Sequence, residues 1–511
     1  MLNSILQKSS LDIKERNKIS KNGRKSSFRR QKGVYETPYK TARHMVDLII
    51  PFIKNKSDLS ILDPSVGEGV FVKALVEAGI RPSHITAHDI DFNKIEKINQ
   101  FGVKGICTDT LLCDYQIKDC IIGNPPYKSR RESLYIKTNQ VELKKRYGFI
   151  GLYNLYSLFL VNAIQHLKHG GIVCFIIQDS FLTNRYYSRF RQFILDSCKI
   201  IEIKLAPRRL FQASKADVRT AIITLQKKES NDEDNLNYDI KHKIRLIDRV
   251  SSENEYLNSN PQLISQIEFR KMPDLKFFIG IPKSIYRVVQ NTTLSFGDIA
   301  EGGAGISTGD DRRYLRSVDE TKKDPNWVGF YKSGRRTPFY YQSPYYIEKD
   351  YKKNALADPK NFLIRNEQFY FQEGITCSSV GRRFSASYLP PGNLFGVNAN
   401  FFFESSGDLF YYLGFLNSNL VKYILRKVLN RTNIVATSFI REIPIINPKI
   451  NQKNEIIKIV RKIVFSLMKN PKYNVIKGTQ RINDIIFEVY RVSDEEIAEI
   501  NDFNENIIER S

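Results

Sequence analysis

Cysteine is scarce in this chain: six residues in 511, at positions 107, 113, 120, 174, 198 and 377. None forms a C-x-x-C pair and none has a nearby histidine partner. Neither a zinc site nor a disulfide framework is indicated, and a reducing cytoplasm is the expected location. A secretory leader is not predicted either, because MLNSILQKSSLDIKER lacks a long apolar segment and is charged within its first turns. The run from Tyr147 to Leu167 is free of formal charge and has membrane-spanning length. Asn154, Asn162, Gln165 and His166 interrupt it, and two glycines near its start point instead to a loop leading into a shorter buried helix. Internal repeats and long low-complexity tracts are also lacking.

Acidic residues are outnumbered. Lysine and arginine total 79 against 55 aspartates and glutamates, a net charge of +24 that favours a polyanionic partner, nucleic acid before acidic lipid. At 511 residues the chain exceeds the size at which one core keeps growing, so two domains are expected. Residues 1–32 are polar and basic and read as an N-terminal arm, either merely solvated or touching the nucleic acid. From Gly33 to about residue 290 the pattern is regular. Met45, Leu48, Ile49 and Phe52 fall at helical spacing, and Pro51 or the polar stretch after it should end that helix. Short apolar runs then alternate with helical patterns: SILD, HITAHD, DCIIGN, GIVCFII, IIEIKLA and AIITLQ. This alternation predicts a doubly wound α/β sheet. KESNDEDNLNYD (228–239) reads as a surface loop, and residues 291–511, with their Gly, Arg and aromatic clusters, as a second domain.

The strand-like run ending in IIGNPPYK (121–128) carries the most chemistry. Proline fixes its own φ and pushes the preceding residue out of the helical region, so Asn124 and Pro125 must be extended and the segment becomes a rigid ledge. The Pro125 carbonyl and the Asn124 amide offer two acceptors. Placed at the carboxyl end of a parallel strand, where ligands of open α/β sheets bind, they suit an incoming NH₂ group. Holding both amino hydrogens draws the nitrogen lone pair out of the ring plane and prepares it for attack without a strong base or a metal. Tyr127 would stack on the flat base, with Pro126 completing the corner. The bland reading is a Pro-Pro turn that caps a strand, with Tyr127 in the core. Upstream, ILDPSVGEGVF (61–71) places an apolar strand, Asp63-Pro64 and Gly67-x-Gly69 before a helix, a turn that lets a ligand approach the backbone. Val72 replaces the third glycine of the dinucleotide fingerprint. Asp89, in HDID, lies where a doubly wound fold grips ribose hydroxyls, whereas Asp91 reads as a helix N-cap. Asp109, in ICTDTLL, is expected to end the next strand and to accept a bond from an adenine amino group. Taken singly, each aspartate is equally well an ordinary cap or loop acid.

In order and content these motifs resemble the gamma-class N6-adenine DNA methyltransferases of type II restriction-modification systems. GVYETPYKTARHMVDLI, DPSVGEGVF, HDID, CTDT and NPPY correspond to that family's successive motifs, and the likeness continues through YNLYSLFL (153–160) and LFQASKADVRTAIITLQK (210–227). The resemblance implies a Rossmann-like domain dependent on S-adenosylmethionine at 33–290 and a mixed α+β DNA target recognition domain at 291–511. It implies that Tyr35, Thr37, Pro38, Asp63, Pro64, Gly67, Gly69, Asp89 and Asp109 bind S-adenosylmethionine. Asn124 and Pro125 would hold the target amino group, Tyr127 would stack on the flipped base, and Phe211 would contact its edge or other side. Double-stranded DNA bound by a monomer and a separately encoded cognate restriction endonuclease are the implied partners. Two departures stand out: Ser65-Val66 where many members have Ala-Cys, and a longer segment between Phe211 and its following strand.

The second half resembles a target recognition domain more loosely, through SFGDIAEGGAGISTGDD (295–311), GRRFSASYLPPGNLF (381–395) and GFLNSNLVKYIL (414–425). Arg312, Arg313, Arg335, Arg336, Arg382 and Arg383 sit beside aromatics in expected loops and suit phosphate and groove contacts, though such arginines are often simply solvated. Three other readings share parts of the pattern. N4-cytosine transfer needs the same geometry, but Asn before Pro-Pro favours adenine in the family comparison. Protein glutamine methyltransferases carry NPPY but are shorter and lack this basic second half. A non-catalytic specificity subunit would not retain the acids and the intact tetrapeptide. A built-in nuclease is weakly indicated, because Glu320-x-Lys322 has no convincing upstream acid.

Overall fold

The structure, a computed structural model, describes residues 35–54, 56, 58–211, 218–229, 239–321, 324–332, 337–378, 383–429 and 435–506. Most of the 228–239 loop and Arg335, Arg336, Arg382 and Lys322 lie outside the described residues. The chain divides into two compact units after Gly280, whereas the sequence reading set the second domain from residue 291.

In the first unit, helix α1 (Tyr39–Ile53) starts after Pro38, whose φ of −59° leads the chain into it. Its Met45, Val46, Ile49 and Ile53 are buried as one apolar face. Pro51 does not end the helix. It lies in the last turn, and the helix closes at Ile53, where the polar stretch begins and Lys54 N donates to Ile50 O at 3.0 Å. The alternation of short apolar runs and helices then builds β1 (Ile61–Asp63), α2 (Val70–Glu77), β2 (Ile85–Asp89), α3 (Phe92–Asn99), β3 (Lys104–Cys107) and β4 (Lys118–Gly123). Helices α4 (Leu134–Thr138), α5 (Gln140–Tyr147) and α6 (Leu155–Gln165) follow, then β5 (Leu167–Gln178), α7 (Ser188–Ser197), β6 (Cys198–Leu205), β7 (Thr220–Lys227), β8 (Lys243–Ile247) and β9 (Gln262–Ser265).

These strands form a nine-stranded mixed sheet in the order β3-β2-β1-β4-β5-β7-β6-β8-β9. The five strands from β3 to β5 pair in parallel, while β7 runs antiparallel between β5 and β6. Central strands carry continuous apolar runs because both faces are covered: Cys120, Ile121 and Ile122 of β4 are fully buried. The order of connection reverses between β1 and β4, which makes the carboxyl ends of those strands the switch point where ligands of open sheets bind. The charge-free run resolves into α6, capped by the Asn154 side chain accepting from Tyr156 N at 3.3 Å, and its nine buried positions pack in the core. Among the described residues no helix is long and apolar enough to cross a membrane.

The second unit is mixed α+β. One sheet has the order β10-β12-β11-β15, formed by Leu315–Ser317, Tyr345–Glu348, Trp327–Tyr331 and Leu394–Phe395. A smaller one, β14-β13-β16, joins Ala386–Leu389, Gly374–Cys377 and Ala399–Phe401. A buried helix (Ser406–Asn417) and the long helices Ile450–Lys469 and Ile476–Tyr490 complete its main body.

Candidate active site

Acidic groups stand at or just past the carboxyl ends of β1, β2 and β3. Asp63 closes β1 and is fully buried; its Oδ1 accepts from Ser65 N at 3.1 Å, and its Oδ2 meets no donor. Burial, aided by the Asp89 charge, pushes its carboxyl up to about 8 against the Ser65 hydrogen bond and the charge of Lys94. Asp89 closes β2. Its Oδ2 accepts from Gly67 N at 3.0 Å and its Oδ1 from Asp91 N at 3.0 Å, with Lys94 Nζ at 3.5 Å. Asp91 caps α3 as expected, accepting from Asn93 N at 3.2 Å. Asp109 does not end a strand: β3 stops at Cys107, Thr108 N bonds Asp89 O, and Asp109 folds into a turn in which Leu111 N donates to its Oδ1 at 3.1 Å.

The glycine turn works as its spacing requires. Gly69 precedes α2 at φ +82°, a conformation that a side chain disfavours, and a Cβ there would lie 2.4 Å from Ile98 Cδ1. The Pro64 carbonyl accepts from Thr110 Oγ1 at 2.8 Å, and that hydroxyl also meets His88 Nδ1 at 3.3 Å, which ties the ends of β1 and β2 to the Asp109 turn. Gly123 lets the β4 and β1 ends touch, since a Cβ there would lie 3.1 Å from Asp63 Oδ1.

Asn124 follows directly on β4, within reach of this cluster through Ser65 Oγ, which donates to Asn124 O at 3.4 Å. Its side-chain Nδ2 donates to Tyr35 O and to Thr37 Oγ1, both at 2.9 Å. Both amide hydrogens are therefore spent on the segment that enters α1. Asn124 Oδ1 is buried and finds no donor. An unsatisfied buried acceptor is costly, on the order of 1–3 kcal/mol, so its retention calls for a partner from outside the chain. The Pro125 carbonyl likewise accepts no backbone hydrogen bond among the described residues.

Tyr127 is almost wholly buried, and its hydroxyl donates to Ile176 O at 2.8 Å. Its ring centroid lies 5.5 Å from that of Tyr35 and 6.3 Å from those of Phe211 and Tyr156. Tyr35 in turn lies 5.6 Å from Phe211, which is itself 1 % exposed. The structure thus brings together Tyr127 and Phe211, the two rings assigned to the target base, but closes them with a third. Tyr127 and Phe211 meet edge to face, their planes 75° apart, and Tyr35 packs against Tyr127 at a 32° tilt.

Sequence reasoning missed several contacts. Tyr135 donates its hydroxyl to both Asp109 oxygens, at 2.9 and 2.8 Å. The Thr37 hydroxyl and Tyr35 carbonyl hold Asn124 across 87 and 89 positions of sequence, and Tyr35 supplies the third ring. No local pattern marks any of these; only the position of Thr37 beside Pro38 gives a signal, because proline forces the residue before it to be extended. In the second unit Arg312 and Arg313 are exposed but lie in a one-turn helix rather than a loop, because Asp310 Oδ1 caps both backbone amides, at 3.0 and 3.4 Å. Arg383 is exposed. Among the described residues no group of three His, Cys, Asp or Glu side chains could hold a metal ion.

Residues 75–211 match the Eco57I restriction-modification methylase family. That stretch contains Asp89, Asp109, the Asn124–Tyr127 corner and Phe211. The chain is 24% identical over 378 residues to the type II methyltransferase M.AccI of Acinetobacter calcoaceticus, which covers 70% of this chain and 67% of that one. It is 26% identical over 201 residues to M.HincII of Haemophilus influenzae, covering 39% and 38%, and 32% identical over 172 residues to the modification methylase CviBIII of Paramecium bursaria Chlorella virus NC1A, covering 32% and 42%. The chain thus spans well under half the length of the latter two relatives. Among solved structures, the nuclease-deleted Type ISP restriction-modification enzyme LlaGI with a DNA substrate mimic aligns over 84% of this chain and 54% of its own, with a TM-score of 0.53 and 14% identity. The DrdV–DNA complex aligns over 86% and 58%, again with a TM-score of 0.53 and 14% identity. These two likenesses establish the fold, and the sequence relatives together with the family match support a restriction-modification methyltransferase.

Proposed function

We propose that this chain is a site-specific DNA adenine methyltransferase, transferring a methyl group from S-adenosylmethionine to N6 of an adenine flipped out of double-stranded DNA. In that reading it protects host DNA in a restriction-modification system. The observation that carries it is the Asn124 side-chain oxygen, buried and unpaired at the end of β4 beside the Pro125 carbonyl. Two acceptors on a rigid corner match the two hydrogens of an exocyclic amine and no other common group on a base edge.

The strand-end acids support the cofactor reading. Asp89 would accept from ribose hydroxyls and Asp109 from an adenine amino group on the lone pairs left beside their bonds to Gly67 N, Asp91 N, Leu111 N and the Tyr135 hydroxyl, while Asp63 offers a buried oxygen without a donor near which a cationic ligand would be welcome. When bound, S-adenosylmethionine supplies an electrophilic methyl on a positively charged sulfur. This chain's part is to hold and aim. Asn124 and Pro125 accept from the amine and turn its lone pair out of conjugation, Tyr127 stacks on the base once Tyr35 yields, and Phe211 meets its edge. The amine's surplus proton leaves after transfer, when the methylated nitrogen is acidic enough to need no strong base. Extruding the base costs a few kcal/mol, and the excess of positive charge, +24, supplies the sequence-independent attraction that offsets it.

The test is methyl incorporation into duplex DNA by the full chain and by Asn124→Ala, with the product base identified and its position mapped by methylome sequencing of an expressing host. N6-methyladenine in wild type and a loss of at least a hundredfold in the variant, with cofactor affinity retained, are expected. Label on N4 of cytosine would replace the base assignment, and label on polypeptide or undiminished transfer by the variant would overturn the reading.

A further inference from the structure

Asparagine amides are nearly symmetric in shape, so an acceptor role at Asn124 depends on which way the amide is rotated. Turned one way, the oxygen points away from the Tyr35 carbonyl and stays a free acceptor. Turned the other, an NH₂ group takes that place and would meet an incoming amine donor to donor. The structure contains a device that decides between the two. Nδ2 lies 2.9 Å from the Tyr35 carbonyl oxygen and 2.9 Å from Thr37 Oγ1, while Oδ1 is buried and without a donor. The carbonyl can only accept, so the reversed amide would set two oxygens against each other at hydrogen-bond distance. We propose that the Tyr35 carbonyl sets the orientation of the Asn124 amide, leaving its oxygen as the free acceptor, and that the Thr37 hydroxyl anchors the amide there by holding its second hydrogen, a two-part latch that makes Thr37 a positioning residue for methyl transfer.

The latch is itself held. Pro38 restricts Thr37 to extended backbone, Thr37 is largely buried, and Pro38 O accepts from Ala42 N at 3.1 Å in the first turn of α1. The hydroxyl therefore reaches Asn124 from a fixed backbone and not from a mobile loop side chain. This inference rests on the reading of Asn124 as the acceptor of the target amine. It differs from the family resemblance, which gives Thr37 to the cofactor.

The test uses the full chain with Thr37→Val, which keeps the shape and removes the hydroxyl, and Thr37→Ser, which restores the hydroxyl. Single-turnover methylation rate, KM for DNA and the Kd of the non-reactive cofactor analogue sinefungin are measured for each. The latch predicts a rate about tenfold lower in Thr37→Val, what loss of one neutral hydrogen bond of ordinary strength produces, with substantial recovery in Thr37→Ser and sinefungin Kd within about twofold of wild type. A wild-type rate in Thr37→Val, failure of serine to recover the rate, or a sinefungin Kd weakened by the same factor would overturn it, the last by making Thr37 a cofactor ligand. A readout independent of turnover is the Asn124 side-chain NH₂ in ¹⁵N spectra: two slowly exchanging protons in wild type, and one of the two in fast exchange in Thr37→Val. If wild type transfers no methyl to DNA, the functional reading fails, and unchanged exchange in the valine variant separately overturns the latch.

Discussion

Replacing Asp63 by asparagine should stabilise the unliganded chain near neutral pH and, in the proposed function, weaken cofactor binding. The carboxyl is fully buried at the end of β1, and only Ser65 N supports it. Its pKa is raised from 3.8 to about 8, chiefly by burial. Between these two values the folded chain keeps a proton that the unfolded chain has released. The stability that comes from the raised pKa is therefore complete below about pH 4 and is lost as pH rises toward 8. At 1.36 kcal/mol per unit, the interval from pH 6.5 to 8 should cost the wild type about 2 kcal/mol. His44 and His88 act in the opposite sense, because burial lowers them to about 3 and about 4, but only up to their ordinary value of 6.5. Above 6.5 the contributions of these two histidines fade, and subtracting the Asp63→Asn curve cancels the groups common to both proteins.

Trp327, the single tryptophan, lies in the second unit, so its fluorescence does not report on β1. Pulse alkylation of Cys120, which is buried in β4 and free, does, and its protection along a urea series yields the stability of the first unit at each pH. The two proteins should diverge by about 2 kcal/mol between pH 6.5 and 8, with the wild type falling. Parallel curves, or a ¹³C titration of the Asp63 carboxyl with its midpoint near 4, would refute the burial argument. Calorimetry of S-adenosylmethionine binding at pH 7 in buffers of different ionisation enthalpy should further show about one proton released by wild type and none by Asp63→Asn, because a cationic ligand draws the carboxyl into its charged form.

Two further substitutions address the turn and the rings. Gly69→Ala forces a side chain into φ +82° and toward Ile98 Cδ1, so it should lower first-unit stability by at least about 1–2 kcal/mol in the same alkylation assay; an unchanged midpoint would show that the turn relaxes freely. Tyr35→Ala uncovers the Tyr127 face, so affinity for the target duplex should rise several-fold relative to the same duplex with an abasic target. A fall in that ratio would make Tyr35 a wall of the base site instead of its cover.

Much of the first unit was legible because the physics is local. DCIIGN reads as a buried strand, Asp91 as a cap and Gly69 as a turn, each from neighbouring residues alone, and the structure places them so. Where the structure differs, a neighbouring interaction decides. Pro51 is one of two candidate ends for α1, but in the last turn it removes a single donor and the helix runs on to Ile53. The sequence pattern puts Asp109 at a strand end, but its carboxylate accepts from the amide two residues on, which makes a turn. It puts Arg312 and Arg313 in a loop, which Asp310 converts into a helical turn by the same kind of bond.

The remainder was illegible for a different reason. Tyr135 reaches Asp109 across 26 positions and Tyr35 covers Tyr127 across most of a hundred, contacts that only the folded sheet creates. The Asn124 amide is the sharpest case. That an acceptor is needed beside Pro125 follows from the motif, but the motif does not say which atom of the amide is left free. The group that decides it is the main-chain carbonyl of residue 35, which any amino acid at that position would supply and which therefore leaves no trace in side-chain pattern. Thr37 Oγ1, which holds the second amide hydrogen, is a side chain, and so it is the one part of the latch that a substitution can remove without altering the backbone path into α1.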